Sequence, residues 1–183
     1  MVGKDTVIIN HRYVSADQHP SPHHDERPDD EICLIVIHCI SLPEAHFGSR
    51  YIDDLFMGRH HDGAHPELDE LSDLKVSAHI VIDREGRVTQ YVPFDRRAWH
   101  AGESVYAGRT RCNDFSIGIE LVGTDHHAYS EAQYRALVPL VSDLQSHYAI
   151  PGDAIVGHSD IAPERKTDPG NHFDWSRIRT NRT

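Results

Sequence analysis

The stretch ICLIVIHCI, residues 32–40, is apolar at every position except His38 and rich in β-branched side chains. A run this short, without alternation of polar and apolar residues, predicts a strand covered on both faces rather than a half-exposed one. Other strand patterns surround it. VSAHIVID (76–83) and RVTQYVP (87–93) are separated by REG, so the pair reads as two strands joined by a tight turn at Gly86. FSIGIEL (115–121) alternates Phe115, Ile117, Ile119 and Leu121 with Ser116, Gly118 and Glu120, which sets Glu120 opposite the buried face. AIVGH (154–158) reads as a further short strand.

Helical signals are fewer. YIDDLFMG (51–58) suits a short helix, followed by a polar loop over 58–73. From Ser130 the period changes: Ser130 and Gln133 form a capping box, and Tyr134, Leu137, Val138, Val141 and Leu144 line one face. Pro139 lies inside that pattern and lacks a backbone donor, so a kink or a shortened helix is expected. A long loop spans 95–114, SDIAPERKTDPG reads as another, and FDWSRIR as a last short helix. The expected fold class is α/β or α+β, a central mixed sheet flanked by helices. A length of 183 residues fits one domain over 1–183. Its residues 1–31, whose part from 15 to 31 holds three prolines and many charges, should lie extended on the surface.

Composition narrows the partners. Eighteen basic against 29 acidic residues give a formal charge of -11, which repels phosphate backbones and anionic membranes, and the basic residues are scattered. Neither nucleic acid nor membrane is expected as a partner, and a monomer is. The apolar run at residues 6–9 is too short for a secretory core, which predicts a cytoplasmic address. Three cysteines without CxxC spacing, Cys33, Cys39 and Cys112, read as free thiols.

His38, His158 and Asp168 stand at strand ends or in the loop after one. Two imidazoles and a carboxylate suit an open zinc site, because three protein ligands leave a fourth tetrahedral position for water or a substrate oxygen. The spacing alone also admits a hydrogen-bonded histidine at a strand end and a turn carboxylate before Pro169.

The chain resembles the zinc-dependent N-acetylmuramoyl-L-alanine amidases, in particular the cytoplasmic 1,6-anhydro-muramyl-peptide amidases of the AmpD type, which share a fold with peptidoglycan-recognition proteins. The segments that carry the resemblance are PSPHHDERPDD (20–30), VIHCIS (36–41), VSAH (76–79), QYVPFDRRAWHAG (90–102), RCNDFSIGIELVGT (111–124), GHSDIAPERKTDPG (157–170) and FDW (173–175). It implies that His38, His158 and Asp168 hold zinc, and that Glu120 and Lys166 are catalytic. Glu120 would shuttle a proton from water to the leaving amine, and Lys166 would steady the oxyanion. It further implies that Trp99 and His100 line the sugar end of the cleft, while Lys75, Arg111 and Asn113 could grip stem-peptide carboxylates. The substrate class implied is an anhydro-muropeptide. Amidases acting on polymeric wall, and recognition modules without catalysis, are the rival readings. His79 reads as structural. Cys39 departs from the asparagine often found after the first ligand histidine, and strand alternation should turn it away from His38.

Overall fold

The computed structural model describes residues 7–59, 65–71 and 73–179. Six strands form one mixed sheet: β1 (Asp17–Gln18), β2 (Leu34–Ile40), β3 (Ile80–Ile82), β4 (Val88–Gln90), β5 (Ser116–Val122) and β6 (Ile155–Gly157). Their order across the sheet is β6-β2-β5-β3-β4-β1. The first four in that order run parallel, β4 is antiparallel to β3, and β1 is parallel to β4.

Parallel strands demand cover on both faces, and both are covered. On one face α3 (Glu131–Tyr148) sets Leu137, Leu140, Val141 and Leu144 against Ile35, Ile37, Ile117, Ile119 and Leu121. On the other, α1 (Tyr51–Phe56) packs Ile52 and Phe56 with Val81, Tyr91, Val92 and Val122. All seven residues of β5 are therefore buried. Alternation placed Ser116, Gly118 and Glu120 on the correct face, but that face is interior too, because α1 and its loops roof it.

Several expectations change in detail. The strand expected over 76–83 is regular only at Ile80–Ile82, and α2 (Pro66–Glu70) interrupts the loop expected over 58–73, of which residues 60–64 and 72 lie outside the described residues. The Ser130–Gln133 capping box is present. Pro139 does not shorten α3: it faces solvent, as does Arg135 one turn earlier, so the carbonyl left without a donor has water within reach. Val138, expected in the buried face, is 36% exposed, and Leu140 takes its place in the core. His158 does not end a strand. It opens the short helix α4 (His158–Ile161), and Trp175–Arg177 form a turn of 3-10 helix. Among the described residues no helix is long and apolar enough to cross a membrane.

The N-terminal segment, of which residues 1–6 lie outside the described residues, is joined to the body by more than its surface. β1 extends the sheet, and His24–Glu26 pair with Arg96–Ala98. Arg27 is buried, and its guanidinium donates to the carbonyls of Phe94, Asn113, Asp114 and Ser116 at 2.8–3.2 Å. Burial pushes its pKa down to about 10, which still leaves it cationic at neutral pH. Beside it His79, fully buried, accepts from the Gly118 amide through Nδ1 and donates to the Arg96 carbonyl through Nε2, as a structural histidine should.

Two measurements follow from this packing. Arg27→Met leaves the carbonyls that Arg27 serves without their donor, so urea unfolding should show a loss of about 3 kcal/mol; a loss under ~1 kcal/mol would mean water replaces the guanidinium. Burial, then the nearby Arg27 charge, hold His79 well below the ordinary imidazole value of 6.5. The unfolded chain therefore takes up a proton that the folded one refuses, and stability drains as pH falls through that value. The drop in urea midpoint between about pH 7 and pH 5 should be smaller in His79→Asn than in the parent, and equal drops would show that His79 protonates freely in the fold.

Candidate metal centre and its cleft

The carboxyl ends of β6, β2 and β5, three adjacent parallel strands, converge on one place, which is where open sheets of this kind present ligand-binding groups. β2 delivers His38 one residue before its penultimate position, and β5 delivers Glu120 directly opposite it in register. The end of β6 delivers His158 as the first residue of α4. Asp168 arrives on the following loop, which the chain folds back so that the Ser159 amide donates to the Asp168 carbonyl at 3.0 Å. Gly157 permits that return: a Cβ there would stand 2.8 Å from Pro169 Cδ.

His38 Nδ1, His158 Nδ1 and Asp168 Oδ2 lie 2.9, 3.2 and 3.2 Å from one another. Among the described residues these three each offer a ligand atom within one cluster. The separations are near the ~3.3 Å edge of a tetrahedron of nitrogen and oxygen donors around zinc. The donor chemistry fits as well. His158 Nε2 donates to the Ala101 carbonyl at 3.0 Å, so in the neutral ring Nδ1 carries a lone pair pointing inward. Glu120 is 8% exposed, and its Oε2 is buried with no hydrogen-bond partner among the described residues. The His158 lone pair, the second imidazole and the Asp168 carboxylate, gathered beside an unsatisfied buried carboxyl oxygen, are donors a cation would take.

The electrostatics follow from burial. Burial pushes the His38 imidazole down to about 4. Burial alone would raise the Asp168 carboxyl, but the histidines on either side outweigh it and hold it well below the usual range. Glu120 goes the other way: burial, then the negative charge of Asp168, push it well above the ordinary carboxylate value, and Lys166 opposes them. A carboxyl poised to hold or release a proton thus sits beside the ligand set.

His38, His158, Asp168, Glu120, Lys166, Trp99 and His100 line one cleft of about 230 Å³. Its far wall is apolar, with Leu55, Phe56, Leu71, Leu74 and Val76, none of which the sequence singled out. Trp99 is held edge and face: its indole N–H donates to Asp25 Oδ1 at 3.1 Å, Arg97 grips the same carboxylate, and the His23 ring stacks at 6.1 Å between centroids. Lys75 lines an adjoining depression with His23, Met57 and Leu74.

Arg111 and Asn113 do not line the cleft. Arg111 is exposed and pairs with Asp114 at 3.3 Å, while Asn113 Oδ1 accepts from the amides of His100 and Ala101 and so shapes the loop. Arg165 was not foreseen: its guanidinium donates to the carbonyls of Ala101 and Glu103, tying the loop that carries Trp99 to the loop that carries Asp168. Cys39, in register with Leu121, packs against the core on the α3 side although the residue also borders the cleft, and burial pushes its thiol up to about 12. It is not a thiolate at neutral pH.

A parallel sheet that gathers two imidazoles, a carboxylate and a second, buried carboxyl at one end defines the class: a metal-dependent hydrolase. The comparisons name the family within it. Residues 28–171 match the family model described as N-acetylmuramoyl-L-alanine amidase, and the chain belongs to that family. It is 57% identical over 173 residues, 94% of this chain and 92% of the relative, to the 1,6-anhydro-N-acetylmuramyl-L-alanine amidase AmpD of Enterobacter cloacae. A crystal structure of AmpD matches with a TM-score of 0.91 at 53% identity, covering 94% of this chain and 97% of that one. The amidase AmiD from E. coli, in complex with the substrate anhydro-N-acetylmuramic acid-L-Ala-D-gamma-Glu-L-Lys, matches with a TM-score of 0.60 at 33% identity, covering 80% and 56%.

If the three convergent side chains hold a metal together, removing one should lower bound metal and activity in parallel. His158→Ala, dialysed against buffered metal and assayed by elemental analysis, should retain well under half of the parent's content; full content with lost activity would leave His158 outside the ligand set.

Proposed function

We propose that the chain hydrolyses the amide between the lactyl group of 1,6-anhydro-N-acetylmuramic acid and the L-alanine of a stem peptide, with zinc held by His38, His158 and Asp168. The observation that carries the chemistry is the pairing of Glu120 with His38 across β2 and β5, which leaves a buried carboxyl, its Oε2 without a partner among the described residues, beside the proposed ligand atoms. The substrate half of the proposal is supported by the 57% identity to AmpD and by the anhydro-muropeptide bound to AmiD. A cytoplasmic role in wall-fragment recycling, by one amidase domain, belongs to the same proposal.

Bound zinc would supply Lewis acidity to a water and to the amide carbonyl. Everything else falls to the chain. Glu120 takes the proton of the attacking water and passes it to the leaving alanine nitrogen, and its raised pKa makes the protonated form accessible for the second half of that transfer. Lys166, half-buried at the cleft wall, sets its ammonium toward the negative charge that develops on the carbonyl oxygen. The Trp99 ring, fixed by Asp25 and His23, offers a flat apolar face to a pyranose, and Lys75 in the adjoining depression offers a cation to a peptide carboxylate.

Glu120→Ala should keep its zinc while turnover falls by roughly 10²- to 10⁴-fold, the loss expected of a general base; a variant that keeps its turnover removes Glu120 from the mechanism. For the substrate, anhydro-muramyl-tripeptide and the same tripeptide on ordinary N-acetylmuramic acid should be compared with and without a chelator, products identified by mass. Chelator-sensitive release of tripeptide from the anhydro sugar alone is expected. Equal cleavage of both would make it a general muramoyl amidase, and tight binding without cleavage a recognition module.

A further inference from the structure

His100 lies in the cleft wall, yet neither of its ring nitrogens is free for a substrate. Nδ1 is 2.9 Å from His38 Nε2, and Nε2 is 3.2 Å from Ser116 Oγ. Ser116 is fully buried on β5, and its Oγ is 2.5 Å from the Cys112 carbonyl. The fold makes deliberate room for this ring: a Cβ on Gly118 would stand 2.4 Å from His100 Cγ, so only glycine lets the imidazole rest on the strand.

The direction of each hydrogen bond follows by elimination from one fixed end. A carbonyl cannot donate, so the Ser116 hydroxyl spends its single proton on Cys112. Its oxygen can then only accept from His100, which places the His100 proton on Nε2. The neutral ring has no second proton, so Nδ1 is an acceptor, and it accepts from His38 Nε2–H. With its proton committed there, His38 presents a bare Nδ1 lone pair toward His158 and Asp168. The opposite polarity would aim two lone pairs at each other between Ser116 Oγ and the Cys112 carbonyl in a fully buried place.

We propose that His100 is a positioning residue: with Ser116 and the Cys112 carbonyl it forms a relay of fixed polarity that locks His38 in the tautomer able to ligate metal through Nδ1. This deepens the metal-centre reading and rests on His38 being a ligand. The second ligand histidine is oriented more simply, by the Ala101 carbonyl. A carbonyl cannot reverse, whereas an imidazole can accept or donate, so the His38 side needs the serine to remove the ambiguity.

The test uses the zinc-loaded full chain. Long-range proton–nitrogen correlation spectra should show His100 as a neutral ring with its proton on Nε2 and a free Nδ1, and Ser116→Ala should abolish that single fixed form. His100→Leu keeps bulk but offers no acceptor, and should weaken zinc binding roughly 10- to 100-fold in competition with a chelator. His100→Asn, whose Oδ1 stands where Nδ1 does, should recover most of the affinity. A His100 ring protonated on Nδ1, or a His100→Leu variant that binds zinc as tightly as the parent, would overturn the relay. Should His100→Leu fail to fold, the spectra of the parent and of Ser116→Ala still decide it. His38→Ala separates the two readings: parent-like zinc affinity there sinks the ligand assignment itself, whereas affinity lost there and unchanged in His100→Leu sinks only the relay.

Discussion

The parallel register between β2 and β5 is the constraint on which the rest of the site depends. It sets His38 opposite Glu120 and Cys39 opposite Leu121. Because side chains alternate across a sheet, a slip of one residue would turn the imidazole into the α3 core and bring the cysteine to the cleft. The register is held by what lies on both faces. Ile35, Ile37, Ile117 and Ile119 pack under α3, and Val122 packs under α1. Hydrophobic pairing along seven residues thus sets the position of two polar groups, neither of which contributes to it.

Around that pair the site is assembled by loops whose ends are close in space and far in sequence. Asp168 is brought in by the return of its loop over Gly157, and the Trp99 loop is tied to Arg165 and Asn113. The result is a frame around the buried Glu120 carboxyl, whose Oε2 has no hydrogen-bond partner among the described residues. Burial without a donor is what lifts that carboxyl above the ordinary carboxylate range, and perturbed groups of this kind cluster at functional sites.

Much of this was legible in the sequence. Residues 32–40 and 115–121 announced two strands of a covered sheet, Ser130 and Gln133 a helix start, and the GHSD and KTDPG segments, through their family likeness, the two residues that converge on His38. Pattern reading works where one residue's neighbours along the chain decide its state. It failed at Val138 and Leu140, which trade places between solvent and core, and at Pro139 the helix is not shortened. It could not reach Arg27, His100 or Asn113. Arg27 and Asn113 act on backbone groups of distant loops, and His100 acts on His38, 62 residues away, so no local pattern marks them.

The segment before β2 shows what this means for how the chain can change over time. By composition it is a linker, charged and proline-rich, the kind of stretch in which substitutions accumulate freely. Structurally it alternates between positions of two kinds. Pro28, Asp29 and Asp30 face solvent and can drift. Asp25 and Arg27, just before them, hold the Trp99 ring and four backbone carbonyls in place. Sequence divergence in this region should therefore be patchy on the scale of single residues, with strict retention and near-neutral wandering side by side. A boundary drawn at the first core strand would remove the support behind the wall of the cleft.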